Sequence, residues 1–193
     1  MNGVPLEMRI YTRRGDRGQS SILNGETVEK DDPRLKTYGA LDELQSHLGM
    51  ARSLVSHGSV TDIIRSVQDD IFTASSELAS TPKALSRLGR RIGPEDVARL
   101  EHWIDEFSDR YGLPTRFVAP GEFIDSAALH VARSVCRRGE RLIVTLNRQL
   151  GSYDQLITYF NRLGDLLFVL AWAVGVMNVI ERVVEELKRT AVR

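Results

Sequence analysis

From Arg34 onward, apolar residues recur at three- and four-residue spacing through almost the whole chain. No stretch between turn signals alternates apolar with polar residues over strand length, apart from a short extended piece at Met8 to Thr12. A helix repeats about every 3.6 residues and a strand every two, so this spacing predicts helices and argues against a large sheet. Positions 35, 38, 41, 44, 48, 51 and 55 mark a first helix from Arg34 to about Val55. Asp32-Pro33 opens it, because an N-cap carboxylate accepts an orphan N–H and proline suits the first helical position. After the Ser56-His57-Gly58 break, Ile63, Ile64, Val67, Ile71, Ala74 and Leu78 form one face of a second helix ending near Thr81-Pro82. A third opens at Gly93-Pro94-Glu95, turns Val97, Leu100, Ile104 and Phe107 inward, and stops at Tyr111-Gly112-Leu113-Pro114. The connector Thr115 to Glu122 leads to a fourth helix, from about Ile124 to Arg148. A fifth runs from about Tyr153 to the Val179 region, with Leu156, Phe160, Leu163, Leu167, Leu170 and Val174 in phase and a continuation through Glu181 to Arg189. The expectation is an all-α, five-helix bundle over residues 34–193, preceded by a long glycine-containing loop over 1–33, as one domain.

The chain has 193 residues, 42% hydrophobic, which is enough for one substantial core. Its 26 basic and 26 acidic side chains cancel, so it has no long-range field suited to nucleic acid, and basic clusters act locally on small anions. The longest apolar run, Leu166 to Met177, falls short of the roughly 20 residues that cross a bilayer and reads as a buried helix with no membrane partner. Met1 to Met8 lacks a basic start followed by an apolar core, so the expected location is cytoplasmic. Cys136 is the only cysteine, which excludes an intrachain disulfide and a thiolate metal cluster. Arg137 and Arg138 beside it would favour a thiolate, but a lone, apolar-flanked cysteine reads as core. His47, His57, His102 and His130 form no zinc-binding pattern.

Two polar features stand out. Arg133, Arg137, Glu140 and Arg141 are assigned to one stripe of the fourth helix, with Val131, Val135, Leu142 and Leu146 on an apolar stripe. Like charges four apart destabilise a helix unless an anion lies between them, so a ligand phosphate or a partner carboxylate is expected there. On the fifth helix, Thr158, Asn161, Arg162 and Asp165 precede the apolar run. They read either as an internal network, with Asp165 paired to Arg162 or to an arginine of the fourth helix, or as a patch in which Asn161 bonds a ligand beside the arginines.

The segment Thr12-Arg13-Arg14-Gly15-Asp16-Arg17-Gly18-Gln19-Ser20-Ser21 combines unhindered backbone amides, hydroxyls and three arginines, all suited to phosphate. It lacks the GK[ST] of a Walker loop and the strand and βαβ frame of a dinucleotide fingerprint. By itself it reads equally as a phosphate cradle and as a basic N-terminal arm.

Six segments, in this order, resemble the motifs of PduO-type ATP:cob(I)alamin adenosyltransferases: Ile10-Tyr11-Thr12-Arg13-Arg14-Gly15-Asp16-Arg17-Gly18, Lys30-Asp31-Asp32-Pro33-Arg34, Tyr38-Gly39-Ala40-Leu41-Asp42-Glu43-Leu44, Phe117-Val118-Ala119-Pro120-Gly121, Cys136-Arg137-Arg138-Gly139-Glu140-Arg141 and Phe160-Asn161-Arg162-Leu163-Gly164-Asp165. The resemblance implies a five-helix bundle that assembles as a trimer with active sites between neighbouring subunits. It implies that Thr12, Gly15, Asp16, Gly18, Ser20, Ser21 and Lys30 contact the ATP phosphates, and that Arg137, Glu140 and Asn161 contact ATP from the bundle. Arg133 and Asp42 match a salt-bridging pair across the subunit interface, and Phe117 matches an aromatic that shields the lower face of the corrin. The chain departs from the family at Arg14, where a smaller residue is usual, at Gly139 for alanine, at Gly164 for serine, and at Glu122 for a second glycine.

The implied reaction is attack of cob(I)alamin on the 5′ carbon of ATP with expulsion of triphosphate, so positioning and charge neutralisation replace a protein nucleophile. Arginines, Lys30, loop amides and Mg2+, whose ligands the sequence does not single out, are the residue types and ion such a leaving group needs. A reductase and an adenosylcobalamin-dependent mutase are the implied partners. The alternative is a non-catalytic carrier that binds ATP or adenosylcobalamin and delivers the cofactor to a mutase.

Overall fold

A computed structural model describes residues 11, 13, 15–23, 25–80 and 82–191, with backbone only at 82 and 83. Five long helices carry the structure: α1 Pro33–Leu54, α2 Gly58–Leu78, α4 Pro94–Tyr111, α5 Ile124–Leu150 and α6 Asp154–Ala191. A single turn, α3 Pro82–Leu85, which the periodicity did not anticipate, lies between α2 and α4. The expected punctuation is present. Asp32 Oδ1 accepts the Arg34 N–H at 2.8 Å and Pro33 follows it. The Asp96 carboxylate accepts the Gly93 N–H at 3.0 Å at the start of α4. Gly112 and Gly151, with φ of 67° and 68°, end α4 and α5 in a conformation costly for other residues.

The residues before α1 correct the expectation of an irregular loop. β1 Gln19–Ser21 and β2 Thr27–Glu29 pair antiparallel, with Ser20 opposite Val28. Three-residue strands are too short to show a period in sequence. The hairpin is held from outside: Ile22 and Val28 are buried, and the Leu23 N–H donates to the Ala79 carbonyl at 3.1 Å. The extended piece expected at Met8 to Thr12 lies outside the described residues except for Tyr11.

The helices pack in the order α2, α1, α5, α6, α4, and their apolar residues form one continuous core cluster. Helix α6 lies between α5 and α4, with Leu163, Leu166, Leu167, Leu170 and Val174 fully enclosed. α6 is long and apolar enough to cross a membrane by composition, but over half of its apolar window is buried among the other helices. Asp70 is one of several polar side chains buried in the core. It accepts from Tyr159 Oη at 2.8 Å, Arg90 at 3.0 Å and Arg99 at 2.5 Å, and both arginines also bond Asp96, which ties α2 to α4 and α6.

The inner face of α5 is offset from the expected one. Val135 and Leu146 are buried as expected, but Val131 is 43% exposed and Leu142 half-buried, and Leu129, Ala132, Cys136, Gly139 and Ile143 are buried as well. Close approach decides this. A Cβ on Gly139 would lie 3.3 Å from Leu41 Cδ1, so the bare backbone of α5 is pressed against α1.

Candidate functional site

The glycine-bearing segment folds back on the start of α1. The Gly18 N–H donates to the Gly15 carbonyl at 3.2 Å, and the Lys30 N–H donates to the Gly18 carbonyl at 2.8 Å. Gly18 has φ 86°, which this turn requires. A Cβ on Gly15 would lie 3.1 Å from Lys30 Nζ, so the ammonium rests directly on a bare backbone. Arg34 locks the return strand, bonding Asp32 at 2.9 Å and Glu26 at 3.3 Å. The Arg34 bond holds the Asp32 carboxyl below its ordinary value, and Asp32 in turn pushes Arg34 up. Gly15, Asp16, Gly18, Ser20, Ser21 and Lys30 are thus carried by one hairpin. Thr12 and Arg14 lie outside the described residues. Ser20 and Ser21 share a cleft with Tyr38, Asp42 and Phe72, between the hairpin, α1 and α2. Sequence reading did not single out Tyr38 and Phe72 as cleft residues: Tyr38 falls on the apolar face assigned to the first helix, and the signal of Phe72 was a large side chain off the apolar face of the second.

A second cluster lies in the α5/α6 groove. Asn161 Nδ2 donates to Glu140 Oε1 at 3.1 Å. Arg137 is exposed and makes no ion pair among the described residues, and a Cβ on Gly164 would meet its Cγ at 3.7 Å. Arg162 is engaged by Glu101 at 2.9 Å and Asp165 at 3.4 Å. The internal-network reading therefore holds for Arg162 and Asp165, while Asn161 turns to Glu140.

The arginines do not form one stripe. Arg133 lies over the Phe168 ring at 5.5 Å in a cleft with Ser108, Glu101 and Asp165, and its Nε is buried with no hydrogen-bond partner. Arg138 pairs with Glu43 of α1. Arg141 shares a groove with Arg138, Val131 and Pro120. Eight residues is more than two helical turns, so positions 133 and 141 diverge around α5. Asp42 and Arg133 line different clefts, and a single chain does not bring them together.

Phe117 is 94% exposed on the loop between α4 and α5, which excludes the staple onto the core that a phenylalanine before a helix otherwise makes. Beside it, Pro120, Phe123, Trp172, Val176 and Val179 help frame an apolar cleft of about 270 Å3. Cys136 is fully buried, donates to the Phe160 carbonyl at 3.5 Å, and burial pushes its thiol far up, so it is core and not a nucleophile. Among the described residues no three His, Cys, Asp or Glu side chains converge as a metal site.

A family sequence model described as cobalamin adenosyltransferase matches residues 10–174. The chain is 41% identical to a corrinoid adenosyltransferase of Citrobacter freundii, over 84% of this chain and 93% of that protein. It is 36% identical to the corrinoid adenosyltransferase PduO of Salmonella typhimurium, over 86% of this chain but about half (49%) of that protein. A phenylalanine-to-histidine variant of a PduO-type ATP:corrinoid adenosyltransferase from Lactobacillus reuteri, complexed with cobalamin and ATP, superposes with a TM-score of 0.81 at 32% identity, over 88% of this chain and 93% of that one. The same motifs that carry the glycine turn, the α5 arginines and Asn161 thus fall inside a match that spans the bundle, and the chain belongs to the cobalamin adenosyltransferase family.

Proposed function

We propose that this chain transfers the 5′-deoxyadenosyl group of ATP to the cobalt of cob(I)alamin, giving adenosylcobalamin and triphosphate. The observation that carries the reading is the match over residues 10–174, with relatives and a solved ATP and cobalamin complex of the same activity. In the step, the cobalt(I) electron pair forms the Co–C bond to the 5′ carbon, and the C–O bond breaks with its electrons leaving on the triphosphate. No protein side chain needs to take a proton or form a bond. The protein positions the two substrates and neutralises charge as it moves onto the departing oxygen.

The residues present fit those tasks. The Gly15–Gly18 turn, Ser20, Ser21 and Lys30 face a polyphosphate with unhindered backbone, hydroxyls and an ammonium. Arg137, with no ion pair among the described residues, supplies charge from the bundle, and Glu140 with Asn161 forms a polar pair for the nucleoside. Mg2+ fits as a companion of the triphosphate, because it is bound mainly by phosphates and water with one or two carboxylates, and no protein cage is needed. Asp16 is the exposed carboxylate of the glycine turn that would reach it. Phe117 offers an uncovered apolar ring for one face of a corrin, where exclusion of water favours the reduced cobalt.

The assembly in this reading is a homotrimer. One chain holds the hairpin and Asp42 on the α1/α2 side and Arg137, Glu140 and Asn161 on the α5/α6 side, so a complete site draws on two copies. Arg133, half-buried and with an Nε that has no acceptor among the described residues, is suited to Asp42 of a neighbouring copy. A division into an ATP-binding arm, 1–33, and a bundle, 34–193, goes with this reading. So do a reducing cytoplasmic setting, a reductase that supplies cobalt(I), and a mutase that uses the product. The test is ATP- and reductant-dependent formation of adenosylcobalamin, followed by its absorption change. Absence of product with a competent reductant, or binding of both substrates without turnover, overturns the proposal.

A further inference from the structure

Helix α6 outruns the bundle. Its last buried residue is Met177, and every residue from Val179 to Ala191 is exposed. At about 1.5 Å per residue this segment is about 20 Å long; its base still touches the loop before α5, where Arg182 lies over the Phe123 ring at 5.7 Å, and the rest projects beyond the bundle as a rod. The family model matches residues 10–174, so the rod lies outside that matched segment. A helix surrounded by water is normally polar on all sides. This one carries Ile180, Val184, Leu187 and Ala191 at spacings of four, three and four, the pattern of a coiled-coil seam, and Leu187 is 64% exposed. A helical segment this short is marginal in water without packing, so the seam calls for a cover.

We propose that the cover is the same segment of a second copy of this chain, running antiparallel. The seam is symmetric about the midpoint between Glu185 and Glu186. Pairing it with itself sets Ile180 opposite Ala191 of the second copy and Val184 opposite Leu187, so each layer joins a larger side chain to a smaller one. The contact is self-complementary, as a two-fold interface must be. Charge selects the direction. Glu181 and Lys188 occupy equivalent flanking positions, which face each other across an antiparallel pair, so the two-fold axis generates two Glu181–Lys188 bridges. Parallel pairing sets the same two residues against Val176 and Val183 and forms none. Lys188 makes no ion pair among the described residues, and the ion-pair contact of Glu181 is His57 Nδ1 at 3.8 Å. Arg189 and Glu185 pair at 3.8 Å within their own helix, off the seam. The overlap runs from residue 180 to residue 191 and ends where each bundle begins. Two short helices bury less than the roughly 1,200–2,000 Å2 of a standard interface, so a single pair is weak, and several rods on one assembly strengthen it by multivalency.

The test is the mass of the full chain by sedimentation. Leu187→Glu is expected to lower it at least twofold with adenosyl transfer unchanged. Glu181→Lys, which sets lysine against Lys188, is expected to do the same, and combining it with Lys188→Glu is expected to restore the larger species. A mass unchanged by Leu187→Glu overturns the proposal, and so does a double exchange that fails to restore it. Flotation of the wild type with phosphatidylcholine–phosphatidylserine vesicles, with no mass difference from Leu187→Glu in their absence, would assign the stripe to a membrane surface and overturn it as well.

Discussion

Replacing Arg133 by methionine keeps the apolar stem over Phe168 and removes the charge, and the sign of the effect depends on what faces the guanidinium. Within one chain, Arg133 Nε is buried with no acceptor, and Glu101 and Asp165 of the same cleft are already bonded to Arg162. A buried donor left unpaired costs about 1–3 kcal/mol, so in an isolated chain methionine is neutral or stabilising. If Asp42 of a neighbouring copy accepts the guanidinium, methionine instead strands a carboxylate, at a cost of about 3–5 kcal/mol. At about 1.4 kcal/mol per factor of ten, that weakens subunit association by roughly 10²- to 4 × 10³-fold per contact, which is the expected result. Sedimentation over a dilution series of wild type, Arg133→Met, Asp42→Ala and the double variant measures it. The two residues line different clefts of one chain, so without contact between chains their effects should add within about 0.3–0.5 kcal/mol. Additive effects, or tighter assembly of Arg133→Met, would refute the intersubunit pair.

Arg137→Ala is expected to lower kcat for adenosyl transfer by roughly 10²- to 10³-fold with an unchanged melting curve, since the side chain is exposed and makes no ion pair among the described residues. Normal turnover would remove it from the site. Gly15→Ala forces Lys30 and the Gln19 carbonyl, 3.3 Å from the new Cβ, to move, and is expected to raise KM for ATP about tenfold with little further loss when combined with Lys30→Ala. Independent, multiplying effects would mean that Gly15 does not act through Lys30. Gly164→Ala places its Cβ at ordinary contact distance, 3.7 Å, from Arg137 Cγ, so α6 should gain about 0.5–1 kcal/mol in urea unfolding. A loss of stability there would show that the seam has no room. His130 is held below its ordinary value, first by burial and then by the charge of Arg133. The unfolded imidazole therefore binds its proton at higher pH than the folded one, and stability falls as pH drops below about 6.5. His130→Asn should flatten the slope of Tm against pH between about pH 7.5 and 5.5, and an unaltered slope would refute the assignment.

Much of the fold was legible because helix signals are local. Asp32-Pro33 and Gly112 do their work within a few residues of themselves, and apolar spacing repeats whatever lies across the interface. The hairpin was not legible, since its strands are three residues long and Ile22 and Val28 become core residues only when α2 arrives to anchor Leu23. The Asp70 network had one signal, a carboxylate on the apolar face between Val67 and Ala74, but its partners Arg99 and Tyr159 lie far along the chain. The four arginines near Cys136 were visible as a group, yet their division among Phe168, Glu43 and open solvent depends on which helices pack beside α5.

The sequence alone therefore determined which segments become the five long helices, about where they begin and end, and which residues carry the family resemblance, because each of these rests on neighbours within a turn or two. Only the tertiary structure decided which face of α5 is buried, that Lys30 rests on Gly15, and that Asp42 and Arg133 are kept apart in one chain. Those outcomes depend on the distance of approach between backbones far apart in sequence, as where Gly139 lets Leu41 come within reach, and no spacing along a single helix encodes that distance.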